Sequence, residues 1–175
     1  MTTNEYLDDT DETNRPRLLA YGILREPPAP FFSHQVVVLK VARIWTDHVE
    51  PRRLGTVAVA PVDVVLDRHR HLVVQPDVLF IAAERLSIVD NQVWGAPDVV
   101  AEVMSPGTRS YDEDEKMEWY REYGVREYWR FDLTIESVTI HDFTGASAVR
   151  RARGNTVVES SVLPELRAAA FTFFA

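Results

Sequence analysis

A chain of 175 residues, 46% hydrophobic and 26% charged, is long enough for one globular domain with a real core. It has no cysteine, which excludes disulfide frameworks and thiolate zinc sites, and no apolar run near the roughly 18 residues of a membrane span. The formal net charge of −8 argues against a broadly basic nucleic-acid binder, although Glu5, Asp8, Asp9, Asp11 and Glu12 concentrate much of it in the first turns of chain. The N-terminus also lacks the basic-then-apolar layout of a signal peptide, so the expected location is cytoplasmic.

Residues 1–14 are polar and acidic and read as a mobile tail, leaving 15–175 as a single domain. From Arg15 to Pro30, short apolar pieces end in Pro27, Pro28 and Pro30, as in a strand or hairpin followed by a stiff extended connection. Ser33 is the expected N-cap of a helix reaching about Val49, with Val37, Val41, Ile44, Trp45 and His48 on one face. Pro51 and Gly55 end it.

Three short β-type runs follow at Thr56–Ala60, Val62–Leu66 and His71–Val74, the last two joined by a polar turn at Asp67–Arg70. Asp77–Ala82 and Asp98–Met104 are more continuously apolar, which predicts strands buried on both faces. Ser110 and Glu113 have capping-box spacing. The helix they open carries Met117, Tyr120 and Tyr123 inward and stops at Gly124. Val125–Phe131, Ser137–Phe143 and Ala146–Ala152 read as an antiparallel meander, with an apolar C-terminal end at Phe171, Phe173 and Phe174. The fold class expected is α/β: a mixed sheet flanked by helices.

Two acidic residues stand out against this apolar frame. Asp77 follows Pro76 at the mouth of one buried strand, and Glu102 lies inside the other, on the face of Val100 and Met104. A buried carboxylate is costly unless something compensates it, and Mg²⁺ is commonly held by one or two carboxylates together with waters. The Val103 backbone carbonyl is a candidate third oxygen ligand. Lys116, fourteen residues beyond Glu102, would bring an ammonium to screen charge or orient a water. Each residue also has a plain structural reading: Asp77 in a turn, Glu102 paired with an arginine, Lys116 solvated with Asp112 at i−4. Arg52 and Arg53, Arg68 and Arg70, and Arg150, Arg151 and Arg153 are candidates for phosphate contacts or ordinary solvated turn and strand charges.

The runs Val74–Phe80, Ala96–Thr108, Asp114–Tyr120 and Gly124–Trp129 together resemble the bacterial restriction-endonuclease family usually called Uma, of the PD-(D/E)xK nuclease superfamily. The resemblance implies a restriction-endonuclease-like core, with Asp77, Glu102 and Lys116 as the catalytic set. Asp77, Glu102 and the Val103 carbonyl would be the metal ligands, Mg²⁺ or Mn²⁺ the cofactor, and DNA the substrate. Met104 stands where the superfamily lysine is usual, so the lysine is expected to have moved to the helix. His34, at the family's histidine position, is a candidate accessory residue. Leu18 and Ile23 occupy places where the family carries glutamates, which implies a site with fewer carboxylates. Two functions remain open on the sequence: a metal-dependent DNA endonuclease, and a catalytically degenerate nuclease fold serving as a homodimeric binding or assembly module.

Overall fold

The computed structural model describes residues 1–9, 16–104, 111–145 and 148–175. A short helix α1 (Thr3–Leu7) precedes a hairpin of β1 (Leu18–Ala20) and β2 (Ile23–Arg25), and then the long helix α2 (Phe32–Arg52). Four strands follow: β3 (Gly55–Val59), β4 (Val64–Asp67), β5 (Leu72–Val74) and β6 (Val78–Ala82). A 3₁₀ turn (Ala83–Ile88) leads to β7 (Val93–Trp94), β8 (Val99–Met104) and helix α3 (Tyr111–Glu122). The meander β9 (Glu127–Asp132), β10 (Ser137–Asp142) and β11 (Val149–Arg153) comes next. The chain closes with β12 (Val157–Glu159), β13 (Arg167–Ala169) and a 3₁₀ turn (Ala170–Phe173).

The central sheet has the order β11-β10-β9-β8-β6-β3, antiparallel except for the parallel β8/β9 pair. That parallel step needs a crossover, and α3 lies in the chain between its two strands. β6 and β8 are buried along their whole length, as their continuous apolar runs require. One face of the sheet (Val78, Ala101, Val103, Trp129, Phe131, Val138, Ile140) packs on Val37, Val41, Trp45 and Val49 of α2 and on the C-terminal Leu163, Leu166 and Phe173. Trp45 meets Trp129 edge-on with ring centres 5.6 Å apart, and Phe131 lies 5.1 Å from Phe173. On the other face Leu79, Val100 and Tyr128 pack with Trp119 and Tyr120 of α3 and with Val64, Leu72 and Val74.

Those last residues belong to a second sheet of order β2-β1-β5-β4-β7, so the strands expected in one sheet divide between two. The physical reason is burial: β4 and β5 are apolar on both faces, and stacking them on the central sheet covers a side that strand pairing alone leaves open. Two local expectations also change. α2 begins two residues earlier, with Phe31 at the N-cap and no side-chain cap, so Ser33 sits inside the first turn. The start of the chain, expected within a mobile tail, carries a helix at Thr3–Leu7 with Tyr6 fully buried. Thr2 and Glu5 form a reciprocal capping box, and the Tyr6 hydroxyl donates to Asp63 at 3.0 Å. The Thr3 amide donates to His71 Nδ1 at 3.2 Å, giving that histidine a structural task. The cap expected at Ser110 lies outside the described residues.

Gly124 ends α3 as expected, at φ +95°, with the Val125 amide returning to the Tyr120 carbonyl at 2.9 Å. Gly55 has a stronger requirement. A Cβ there would stand 2.0 Å from the Ile81 carbonyl oxygen, in the backbone of the neighbouring strand. Gly55→Ala is therefore expected to push β3 off β6 and to cost about 1–3 kcal/mol, read as a lowered denaturation midpoint at unchanged slope. An unchanged midpoint would mean the strand edge yields freely.

Candidate active site

β6 and β8 pair Val78 with Ala101, and continuing that register by one step sets Asp77 opposite Glu102. Pro76 removes the ladder donor just before Asp77, so β6 begins there and the Asp77 side chain turns across to β8. Its Oδ2 accepts the Val103 amide at 2.8 Å. The same oxygen lies 3.2 Å from His34 Nε2, delivered from the first turns of α2. Val103, expected to contribute its carbonyl, meets Asp77 through its amide.

Glu102 is reached from the opposite face of the sheet. Lys116 Nζ donates to its Oε1 at 3.0 Å, and the Tyr120 hydroxyl donates to the same oxygen at 2.6 Å. Lys116 and Tyr120 are one helical turn apart on α3, so both side chains descend on one line toward β8. Asp77, Glu102, Lys116 and His34 therefore gather where β6 starts and β8 ends, with α2 on one side and α3 on the other. Tyr120 was expected only as a core residue. Its i+4 spacing from Lys116 is the signal that could have placed it here.

The local field is mixed. Burial pushes the Glu102 carboxyl above its ordinary range, and the nearby Asp77 charge adds to this, while Lys116 and Tyr120 pull it back. Burial disfavours a charged His34, yet the hydrogen bond and charge of Asp77, the charge of Glu102 and the Val103 carbonyl together raise its basicity. Burial and the Glu102 charge hold Tyr120 in its neutral, donating form.

A raised carboxyl has a defined linkage sign. Between the ordinary carboxylate range and the raised value the folded state binds more protons, so stability falls as pH rises through that window. Glu102→Gln removes the effect. In chelator, the wild type is expected to lose melting temperature relative to Glu102→Gln as pH rises from 4 to 8. A difference that stays constant over that range would contradict the raised carboxyl.

The donor set bears directly on a metal. Among the described residues both partners of Asp77 fall on Oδ2 and both of Glu102 on Oε1, so Asp77 Oδ1 and Glu102 Oε2 make no hydrogen bond to them. Among the described residues no three His, Cys, Asp or Glu side chains gather as a complete metal cage. Two carboxylates with one uncommitted oxygen each suit Mg²⁺ or Mn²⁺, which keep several waters and take further oxygens from a phosphate substrate. The residues fit such an ion. They do not fit a closed structural site.

Asp98, just before β8 and so at the far end of the β6/β8 pair from this site, is fully buried against Arg85 at 2.9 Å and the Ala82 amide at 2.9 Å. Leu18 packs in the core with Trp119 and Tyr120, and Ile23 is exposed, so neither supplies a carboxylate. No helix of the described residues is long and apolar enough to cross a membrane.

The fold is shared with a solved structure described as "a putative nuclease belonging to DUF820 from Anabaena variabilis ATCC 29413", at a TM-score of 0.85 and 17% identity. That match covers 99% of this chain and 97% of the other. The α/β, restriction-endonuclease-like architecture expected from the sequence is thus the one observed. No curated protein matches the chain. The model of the Uma2 family, described as "Putative restriction endonuclease", matches residues 4–171, and the chain belongs to that family.

Proposed function

We propose that this protein is a cytoplasmic, Mg²⁺- or Mn²⁺-dependent endonuclease that hydrolyses phosphodiester bonds in DNA. The observation that carries the reading is the facing pair Asp77 and Glu102, each with one oxygen that has no partner among the described residues, beside an ammonium and an imidazole. A divalent ion held by the two carboxylates and the Val103 carbonyl would supply an activated water and neutralise charge on the phosphorane oxygens.

The remaining work falls to the chain. Asp77 is aimed by the Val103 amide and by His34, which occupy its Oδ2 and leave its Oδ1 without a partner among the described residues. Tyr120 fixes the Glu102 carboxylate, so that Lys116 keeps a constant place beside it. The Lys116 ammonium offsets one carboxylate charge before substrate arrives, which lowers the repulsion an incoming phosphate meets. It then stands within reach of a phosphate oxygen or of the attacking water. His34, raised in basicity, is an accessory proton holder on the Asp77 side.

The test is incubation of the purified protein with supercoiled plasmid, linear duplex, single-stranded DNA and RNA, in Mn²⁺ and in chelator. Divalent-dependent nicking or cleavage of DNA is expected. Intact nucleic acid in every lane, with no Mn²⁺ binding, would end the reading. The absence of a three-residue acidic or histidine cluster among the described residues favours one alternative: a degenerate nuclease fold acting as a homodimeric binding module. That alternative requires a dimer by light scattering and no melting shift with Mn²⁺.

A further inference from the structure

The central sheet carries a second polar feature in line with Glu102. Register across four strands pairs Glu102 with Arg130, Arg130 with Thr139, and Thr139 with Arg151. The next row on the same face holds Asp132, Ser137 and Arg153. These positions share the face of Val100 and Tyr128, where α3 packs, whereas the opposite face of the same strands is the apolar core of Trp129, Phe131, Val138 and Ile140.

The arginines of this face differ from the others in the meander. Arg150, on the opposite face, is paired with Glu127 at 2.9 Å and Asp142 at 3.7 Å. Arg130, Arg151 and Arg153 have no carboxylate within ion-pair distance among the described residues. Arg151 donates its Nε to Thr139 Oγ1 at 3.2 Å, and Thr139 is buried. Anchoring Nε fixes the guanidinium plane while leaving its two terminal nitrogens to form the fork that suits phosphate oxygens. Asp132, the nearest acidic residue of the row, has one oxygen turned back to the Thr134 and Ile135 amides. Both Arg130 and Arg151 project their charge onto His141 beside them: burial and then these two cations lower its basicity, against a smaller opposing effect of Asp114.

We propose that Arg130 and Arg151, the latter held by the buried Thr139 and the row extended by Arg153, form a track for the DNA phosphate backbone leading away from the Asp77–Glu102–Lys116 centre. The inference rests on the nuclease reading and specifies how its substrate lies. Three strand spacings separate Glu102 from Arg151, roughly 14 Å, about four nucleotides of duplex rise. In a protein of net charge −8, DNA is repelled at long range, so a short row of arginines with no carboxylate partner among the described residues must do the local holding. The contacts go to phosphates, so the track positions the strand without reading its sequence.

The experiment measures binding of a labelled 20-base-pair duplex, in chelator, across a salt series. The expected result for Arg130→Gln/Arg151→Gln is at least about tenfold weaker binding, with the slope of log K against log salt reduced by about 0.9 per lost contact. Arg151→Lys should keep most of the slope. Arg43→Gln, on exposed α2 surface, should match wild type. If the double variant does not fold, the single variants Arg151→Gln and Arg153→Gln at exposed positions carry the same comparison. Binding and slope equal to wild type would overturn the track while Mn²⁺-dependent cleavage, if present, leaves the nuclease reading standing. A wild type that binds no duplex overturns the track, and cleavage of that duplex in Mn²⁺ then decides the nuclease reading separately. Preferential binding of RNA would replace DNA as the occupant and overturn the proposal as stated.

Discussion

Asp77→Ala and Lys116→Ala are each expected to lower divalent-dependent DNA cleavage by about a hundredfold or more, Asp77→Ala the more severely, while the protein stays folded. Removal of a single group that stabilises developing charge typically costs about 10²–10³ in rate, and Asp77 would in addition hold the ion. Asp77 is only partly buried, and its strand partners are main-chain and His34, so the core of α2 and β9 does not depend on it. Lys116 is also partly exposed, at 21% of its side chain. Its loss leaves Glu102 with Tyr120 alone, and the raised carboxyl then moves further toward its neutral form. Rates measured on one plasmid substrate, with melting curves beside them, separate lost chemistry from lost fold. Cleavage within a factor of ten of wild type in either variant would remove that residue from the centre.

The largest stability effect is expected away from the site, at Glu127. This carboxylate is fully buried, and its Oε1 accepts from Arg150 at 2.9 Å and from the Ser161 amide at 2.9 Å. Its Oε2 accepts from Trp129 Nε1 at 3.0 Å and from the Ser160 hydroxyl. Ser160 in turn accepts the Val162 and Leu163 amides, which fixes the segment that lays Leu163 and Leu166 over Trp129. Glu127→Ala strips a partner from four donors at once. Breaking a buried ion pair by removing one partner costs about 3–5 kcal/mol, a fall in Tm of roughly 10 °C for a chain of this size. Glu127→Gln keeps the volume but turns an amide against some of those donors, so an intermediate loss is expected. A melting change under about 2 °C for Glu127→Ala would show that water replaces the carboxylate at little cost.

Glu127 also illustrates where reading the sequence stops. It lies in the stretch Gly124–Trp129 that carries the family resemblance, yet its partners Ser160 and Ser161 are more than thirty residues away. Nothing in local spacing announces that meeting. The buried strands were legible, because Val78–Ala82 and Val99–Met104 are apolar without interruption. The end of α3 at Gly124 was legible from its chemistry as a helix stop, whereas the apolar pieces at 18–25 left a single strand and a hairpin equally open.

Pairing was not legible. Sequence neighbours β3 and β4 lie in different sheets, since β3 finds its partner in β6 and β4 in β5 and β7. The facing of Asp77 and Glu102 depends on that same long-range register, as does the alignment of Arg130 with Arg151. Two signals were present and missed. Thr2 and Glu5 have the capping-box spacing that α1 uses, and Tyr120 follows Lys116 by one helical turn. Local acidity outweighed the first, and apolar periodicity absorbed the second.

The account predicts one divalent ion between Asp77 and Glu102. Calorimetric titration of Mn²⁺ into wild type, Asp77→Asn, Glu102→Gln and Lys116→Ala tests this most directly. The predicted result is one site per chain in wild type, retained in Lys116→Ala, and weakened by about tenfold or more in the two carboxylate variants. Equal Mn²⁺ binding in all four proteins would contradict it.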